Sequence, residues 1–560
     1  MSTTRNWFAS GDPWIWMVGG GLSISLVMVV GLIMLIAVRG FGHFWPADLV
    51  EAEVREARSQ ETTTLLGEIV ETETLTAVQA KELGLSESIG EDELLTRYLF
   101  KIGNRDVYGR DFRWVLGPRI VERSKPDTAV MLERREYGNF YGYLVDVRRD
   151  GEVIATGHDA LDELKTLLAE NRRKVQELEQ IDRYEIGAIN YRIEQTRLDE
   201  KGLDYNRDEL SEAEYEARLA EIKAEREAAN AEYQELRVER DKLLEELNRT
   251  ALTMRTADGE EKRMQLSKLV QVSANNAMSV GDKLLYYVER FKDFVTGYPR
   301  EANTEGGIFP AIFGTITMVM LMSIVVTPFG VIAAIYLREY ARQGTFLRIV
   351  RISVYNLAGV PSIVFGVFGL GFFVYTMGGS IDDIFYPERS PEPVFGTPGL
   401  LWASLTLALL TLPVVIVATE EGLTRIPRAV REGSLALGAT KAETLRRIIL
   451  PMAAPAMMTG LILAVARAAG EVAPLMLVGV VKLAPSLPID GQFPFLHLDR
   501  KIMHLGFHIY DVGFQSPNVE AARPLVYATS LILLFIIISL NLTAIAIRNR
   551  LREKYRADSD

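Results

Sequence analysis

Six apolar runs, each long enough to cross a bilayer, constrain this chain more than any other feature of its sequence. About 20 consecutive apolar residues cross a bilayer core as a helix. Backbone groups in lipid must be bonded within the segment, which favours helices. The runs are 14–38, 308–336, 352–377, 400–419, 452–481 and 525–547. The first is too long for a signal peptide and precedes no small-residue cleavage site. We therefore predict an all-α polytopic bundle of six transmembrane helices.

The charged loops between these runs orient the bundle. Basic residues concentrate in the loops after runs two, four and six: Arg338, Arg342, Arg348, Arg351, Arg425, Arg428, Arg431, Lys441, Arg446, Arg447, Arg548, Arg550, Arg552 and Lys554. The loop between runs three and four carries Asp382, Asp383 and Glu388 instead. An excess of Arg and Lys marks the cytoplasmic side. We expect both termini to be cytoplasmic and residues 40–305 to lie on the opposite side of the membrane.

Charge is divided unevenly along the chain. Residues 39–305 carry 56 acidic and 40 basic side chains, whereas the remainder carries 18 and 22, so the overall net charge of −12 describes the polar block. That balance gives no argument for a nucleic-acid partner. The absence of cysteine excludes disulfides, thiol catalysis and Cys-ligated zinc.

The polar block, residues 40–305, has patterns of its own. Residues 129–155 alternate around Asp150-Gly151, a two-residue hairpin signal, and 251–273 do so around Asp258-Gly259. Between them, 160–250 has helical periodicity with a polar break at 202–208. We predict a small β-rich base carrying a coiled-coil helical hairpin at about 160–250. One continuous solvated helix is the alternative. A short amphipathic helix is expected at 283–295.

The loop before run five combines several helix signals. Pro427 suits a first helical turn, Gly438 suits the left-handed residue that ends a helix, and Thr440 with Glu443 forms a capping box. Pro451 then marks the start of run five. The segment Leu435-Ala436-Leu437 offers an apolar knob on a cytoplasmic face. An ordinary connecting helix would explain the caps, but neither the knob nor the spacing.

That spacing resembles the EAA loop of ABC importer permeases, with Gly433 and Ser434 in place of the two consensus alanines. Further segments resemble the PstA family of phosphate permease subunits: 306–308 with Pro310, 314–315, 359–366, 412–417, 420–421, 426–427, 438–441 and 467–471. The resemblance covers the first run loosely and residues 290–550 closely, but not the polar block. It implies a coupling helix that docks on an ATPase through Glu432, Leu435, Ala436, Leu437, Gly438, Ala439 and Thr440.

Run five also carries Arg467 and Glu471, four residues apart and hence on one helix face. Charges inside a membrane are costly and normally face protein or water. The pair could simply fasten run five to its neighbours. We favour a role in the substrate pathway, where the guanidinium binds phosphate and Glu471 weakens its hold.

Other sequence features argue against catalysis and cofactor binding by this chain. No P-loop motif is present, so ATP hydrolysis is assigned to a separate subunit, and we expect no catalytic residue and no cofactor. His504 and His508 have a spacing that could suit a metal. We interpret them as surface histidines and expect no metal site.

The resemblance implies an alternating-access importer of the bacterial inner membrane, with residues 40–305 periplasmic and with several partners. These are a PstC-type permease forming a heterodimer, a PstB-type ATPase dimer, a periplasmic phosphate-binding protein and the surrounding membrane lipid. The predicted divisions are 1–39, 40–305 and 306–560. Three alternatives remain: a permease for another oxyanion such as sulfate or molybdate, the PstC-type partner itself, and a signalling or scaffold protein acting through the hairpin.

Overall fold

The computed structural model describes residues 10–56, 61–76, 79–80, 94–300, 303–342, 344–516 and 519–557. The start of the predicted cytoplasmic segment, residues 1–9, lies outside the described residues. Six helices in the described ranges are long and apolar enough to cross a bilayer, as predicted. We name them spans one to six: Trp14–Gly42, Phe309–Tyr340, Ser362–Phe385, Leu400–Thr424, Lys441–Gly470 and Ala522–Glu553.

Span one packs against span six at the edge of the bundle. A Cβ on Gly40 would lie 2.9 Å from the Tyr527 carbonyl oxygen, so the two helices approach closely there. Spans two, four and five form the core around Met318, Trp402 and Ala464. The end of the bundle near Gly42 and Phe309 is called the block end below. The opposite end, near Thr424 and Lys441, is called the loop end.

Span three begins ten residues later than the sequence predicted. Residues 352–377 do not form one helix, because Thr345–Leu357 is a separate amphipathic helix and Ser362 starts the span. Pro361 disfavours the helical conformation at Val360, and Gly359 adds backbone freedom. The chain therefore breaks between two helices that share one apolar run.

Span five ends eleven residues earlier than predicted. Its helix stops at Gly470, and Glu471 is extended with φ −77° and ψ 134°. Pro474 has no amide hydrogen to continue the helix. Residues beyond it fold into the bundle, where Leu475 and Val478 are buried. A Cβ on Gly366 of span three would lie 2.6 Å from Pro474 Cα, which explains a glycine there as a packing residue.

Span five also begins earlier than Pro451. The helix is continuous from Lys441, through a π-helical turn at Leu445–Ile449, to Gly470. Pro451 lies just after that turn and lacks an amide hydrogen. The wider turn accommodates the proline, so Pro451 does not mark a helix start.

Within its described residues, the polar block contains two large antiparallel sheets rather than one small base. The first has the order β4-β3-β2-β1-β5, and the second has the order β10-β9-β7-β6-β11 with β8 beside β7. The strands are β1 Leu49–Arg55, β2 Thr62–Leu75, β3 Leu95–Lys101, β4 Phe112–Leu116, β5 Ile120–Ser124, β6 Ala129–Arg134, β7 Phe140–Arg149, β8 Glu152–Thr156, β9 Thr250–Arg255, β10 Glu261–Gln265 and β11 Leu269–Ser273. Tyr141 and Leu66 belong to a small core between the sheets.

Both predicted strand hairpins are present, with different turns. Arg149 pairs with Glu152 across Asp150 (φ 53°) and Gly151 (φ 89°), which matches a two-residue turn with two left-handed residues. Arg255 pairs with Glu261, so the turn around Asp258-Gly259 has five residues. The hairpin around Asp258-Gly259 is thus formed through a longer turn than the one around Asp150-Gly151.

The helical hairpin has two unequal arms. The first runs from His158–Gln180 through a π-helical turn to Ile186–Tyr205, and the second is Glu212–Asn248, opened by a Ser211–Glu214 capping box. The chain reverses between them, so the single continuous helix is wrong. Residues 158–180 cover the second sheet, where Leu164 packs with Leu252.

The remaining elements are short, apart from the predicted amphipathic helix, which spans Val280–Thr296. They include Arg105–Tyr108, Arg428–Ala436, Leu475–Val478, Leu505–Tyr510 and the strand pair Pro299–Arg300 with Glu305–Gly306. Phe44, Phe294 and Leu525 form an apolar core between the polar block and the bundle. The first hairpin arm also reaches the block-end loops, where the Tyr191 hydroxyl donates to the Phe493 carbonyl at 3.3 Å.

Candidate functional site: the coupling loop and the end of span five

The loop between spans four and five is a helix closed by a left-handed glycine. Arg428–Ala436 is helical, and Gly438 has φ +88°. The Ala439 amide donates to the Ser434 carbonyl and the Gly438 amide to the Leu435 carbonyl, which together make a Schellman motif. The Thr440–Glu443 capping box then opens the next helix. The caps at Gly438 and at Thr440–Glu443 are therefore formed as predicted, whereas Pro427 is the N-cap residue, one position before the first helical turn.

The apolar knob is exposed as predicted. The side chain of Leu437 is 91% exposed and that of Leu435 is 48% exposed, and Ala436 is exposed between them. Glu432 is also exposed on this helix. Apolar side chains held out by a rigid turn are suited to a complementary groove on a partner.

Ser434, one of the two departures from the consensus alanines, has a structural role. Its side chain is buried, and its hydroxyl lies 2.8 Å from the Thr444 hydroxyl across the turn. This bond joins the coupling helix to the first turn of span five. Gly433 has open space around it and no such contact.

A charged clamp holds the loop to spans two and four. Arg431 donates to Glu339 Oε1 at 3.1 Å and to the carbonyls of Leu423 and Ile426 at 2.7 and 3.0 Å. The Lys441 ammonium donates to the Glu339 carbonyl and lies 4.4 Å from the Tyr340 ring. The coupling helix is thus tied to the loop ends of two spans and can pass displacement to them.

Arg467 and Glu471 do meet, but at the end of span five. Arg467 Nε and Glu471 Oε1 are 3.4 Å apart. Because Glu471 follows the last helical residue, the pair is not on one continuous helix. The two terminal nitrogens of Arg467 have no partner among the described residues. Glu471 therefore holds one edge of the guanidinium and leaves the fork available.

Arg467 lies on an open stripe of span five. Met452 and Leu463 are 46% and 54% exposed, and Gly470 is exposed on the same side. Opposite them, Ala464, Ala468 and Ala469 are buried in the bundle core. The Arg467 side chain is 33% exposed. The stripe is uncovered in this single chain.

A second ion pair at the loop end was not predicted. Arg351 Nη2 lies 2.5 Å from Glu420 Oε1, and the Glu420 side chain is only 10% exposed. Glu420 stands in the last turn of span four, and Arg351 lies on the separate helix Thr345–Leu357. The sequence signal for this ion pair was a carboxylate at the end of an apolar run. That Arg351 is its partner could not be predicted, because the contact depends on the helix break at 358–361.

His504 and His508 are buried, so their interpretation as surface residues is wrong. His504 Nδ1 accepts from the Gly506 amide at 3.1 Å. Burial lowers the pKa of each histidine to about 4, which keeps both neutral. The described residues contain no group of three His, Cys, Asp or Glu side chains arranged to hold a metal.

Residues 326–557 match the family described as binding-protein-dependent transport system inner membrane component. The phosphate transport system permease protein PstA of Mycobacterium leprae is 36% identical over 217 residues, 38% of this chain and 65% of that relative. PstA 1 of Mycobacterium tuberculosis strain H37Rv is 33% identical over 43% of this chain and 70% of its own length.

A probable PstA of Methanocaldococcus jannaschii is 30% identical over 45% of this chain and 78% of its own length. Among solved structures, an inward-facing MetNI methionine ABC transporter chain shares 18% identity, with a TM-score of 0.31 over 44% of this chain and 94% of that chain.

Proposed function

We propose that this chain, which belongs to the PstA family of phosphate transport permeases, forms one half of a transmembrane pathway for inorganic phosphate driven by a separate ATPase. The observation that carries the substrate assignment is the open fork of Arg467. A guanidinium with two free nitrogens matches two oxygens of a phosphate ion. Glu471 offsets part of its charge, so a bound anion can also leave.

The open stripe of span five supports a second permease subunit of the PstC type. Leu463 and Met452 are apolar and exposed, and a partner span covering them would enclose Arg467 between two subunits. Enclosure removes water from the guanidinium and strengthens its attraction for an anion. The pathway would then lie at the heterodimer interface.

The exposed knob supports docking on a PstB-type ATPase dimer, which would hydrolyse the ATP. Leu437 and Leu435 would enter a groove of the ATPase. The Arg431–Glu339 clamp would carry movement of the groove to spans two and four. This places the loop end in the cytoplasm together with both termini. The polar block, about residues 40–305, is then periplasmic, where a phosphate-binding protein delivers the substrate.

The substrate role of Arg467 is tested in the purified transporter complex reconstituted into liposomes with binding protein and ATP. We expect Arg467→Gln to lower phosphate uptake at least tenfold, equivalent to about 1.4 kcal/mol. Arg467→Lys should retain part of the activity because it keeps the charge but loses the fork. Uptake is measured with labelled phosphate.

Arg348→Gln is the matched control, since Arg348 is exposed on an amphipathic helix away from the pair. It should leave uptake near the wild-type rate. Normal uptake by an assembled Arg467→Gln complex would overturn the substrate role. Stronger competition by sulfate or molybdate than by unlabelled phosphate would assign the permease to another oxyanion.

A further inference from the structure

A charged cavity lies between the polar block and the block end of the bundle. Its volume is about 650 Å³, within the range of small-molecule sites. His43 and Phe44, which follow span one, and Leu525 of span six contribute to its wall. The cavity is therefore built where the chain leaves the bundle, and it is separate from Arg467 at the end of span five.

Basic side chains exceed acidic ones around this cavity. Eight Arg or Lys and six Asp or Glu line it. Four of the carboxylates, Asp111, Glu133, Glu179 and Glu289, are each paired with a lining arginine. Four cations have no ion pair among the described residues: Lys101, Arg183, Arg290 and Lys292. Asp293 and Glu305 are the other two carboxylates of the lining.

The cations of the lining lower the pKa values of two other lining residues, His43 and Glu133. Burial, together with the positive charges of Arg290 and Lys101, lowers the pKa of His43 to about 3. Burial alone would raise the pKa of Glu133, yet Arg290 and Arg300 hold it below the ordinary value. The interior of the cavity is thus unfavourable for added protons and favourable for an anion.

The unpaired cations are held in different ways. Arg183 lies 4.0 Å from the centre of the Tyr298 ring, which fixes its guanidinium at the rim. Arg290 and Lys101 are partly buried, from helix Val280–Thr296 and from the end of β3 respectively. Neither Arg290 nor Lys101 forms an ion pair within the described residues, although Glu133 and Glu68 attract Arg290 at longer range. A bound anion would give both cations a direct partner. An oxyanion offers several acceptors to both.

We propose that this cavity binds a phosphate group between Arg290 and Lys101, as a site distinct from the transport pathway. The group could belong to free inorganic phosphate or to the headgroup of a phospholipid. The cavity is larger than one phosphate ion requires, and it borders the end of a lipid-exposed helix, so both sources fit its position. This proposal holds whether or not phosphate is the transported substrate.

The test uses the complete transporter complex, purified without nucleotide or binding protein, as wild type, Arg290→Gln and Lys101→Gln. One arm measures labelled inorganic phosphate by equilibrium dialysis. The other counts retained phospholipid by native mass spectrometry and lipid extraction. Arg263→Gln is the control, because Arg263 is an exposed cation of β10 outside the cavity.

We expect one ligand to bind about tenfold more weakly in Arg290→Gln and Lys101→Gln than in wild type and Arg263→Gln. A difference confined to the dialysis arm assigns free phosphate, and one confined to the lipid arm assigns a headgroup. Comparable thermal unfolding midpoints among the four proteins separate loss of binding from loss of fold. If Lys101→Gln retains the wild-type fold, and both its phosphate binding and its lipid retention equal those of wild type, the site does not exist.

Discussion

At the scale of single residues, Arg351 and Glu420 show how the bundle accommodates charge. The carboxylate is nearly buried at the end of span four, and the guanidinium reaches it from another helix at 2.5 Å. Removing one member of such a pair leaves the other charge without compensation, whereas removing both is often tolerated. The pair therefore joins the helix Thr345–Leu357 to span four.

We predict that Arg351→Ala destabilises the protein by somewhat less than the roughly 3–5 kcal/mol typical of a fully buried pair, because the Arg351 side chain is 27% exposed. The double variant Arg351→Met with Glu420→Met should recover most of that loss. Thermal unfolding of the purified complex provides the measurement. Arg348→Ala, on the same helix, should change the midpoint little. Equal destabilisation by the single and double variants would contradict the pairing argument.

At the scale of elements, the coupling helix ends in a turn that requires a left-handed residue. Gly438 has φ +88°, and a Cβ there would meet nothing within 4 Å. The cost of a side chain at Gly438 is therefore conformational rather than steric against neighbours. That cost would change the turn that presents Leu437.

We predict that Gly438→Val lowers phosphate transport per ATP hydrolysed. A left-handed β-branched residue costs at least about 1–2 kcal/mol, which corresponds to roughly a five- to thirtyfold change in the population of the native turn. Parallel measurement of uptake and ATPase activity in proteoliposomes provides the ratio.

Gly433→Ala is the matched control for this turn. Gly433 lies within the same helix, has open space around it and has no positive φ. Alanine should stabilise the helix by about 0.5–1 kcal/mol and leave the ratio unchanged. A normal ratio in Gly438→Val would argue against docking through this turn.

At the scale of the whole molecule, the second hairpin arm, Glu212–Asn248, is mostly exposed to solvent. The buried side chains on this arm are Ala229 and Leu247. Ion pairs join the arms, including Arg226 with Glu200 and Arg240 with Asp182. Such exposed pairs contribute about 0–1 kcal/mol each. By contrast, residues 158–180 cover the second sheet and are needed for its core.

We predict that replacing residues 187–235 with a short Gly/Ser linker leaves the polar block folded. The cut keeps the Asp182–Arg240 pair and the whole second-sheet core. The thermal midpoint of the complex should shift by only a few degrees, and phosphate uptake should persist. Deleting 160–250 instead removes Leu164, uncovers its packing partners in the second sheet such as Leu252, and should unfold the block. Loss of uptake in the folded, shortened chain would make the hairpin essential for transport.

Residues adjacent in the sequence determined much of the secondary structure of this protein. Six apolar runs produced six spans, the loop caps formed around Gly438, and Asp150-Gly151 made its turn, because each depends on residues adjacent in the chain. Helix bounds were less accurate wherever a proline acted within an apolar run, as at Pro361, Pro451 and Pro474. The knob at Leu435–Leu437 was predictable because its exposure follows from the turn that presents it.

Only the tertiary structure decided which distant groups meet. Arg351 and Glu420 are far apart in sequence, and their contact depends on the helix break before span three. In the first sheet, β1 pairs with both β2 and β5, a long-range choice that strand periodicity does not specify. The cavity near Arg290 gathers cations from a strand, a hairpin arm and a helix. Its charge balance follows from which carboxylates each cation reaches in space, and sequence spacing alone cannot determine that.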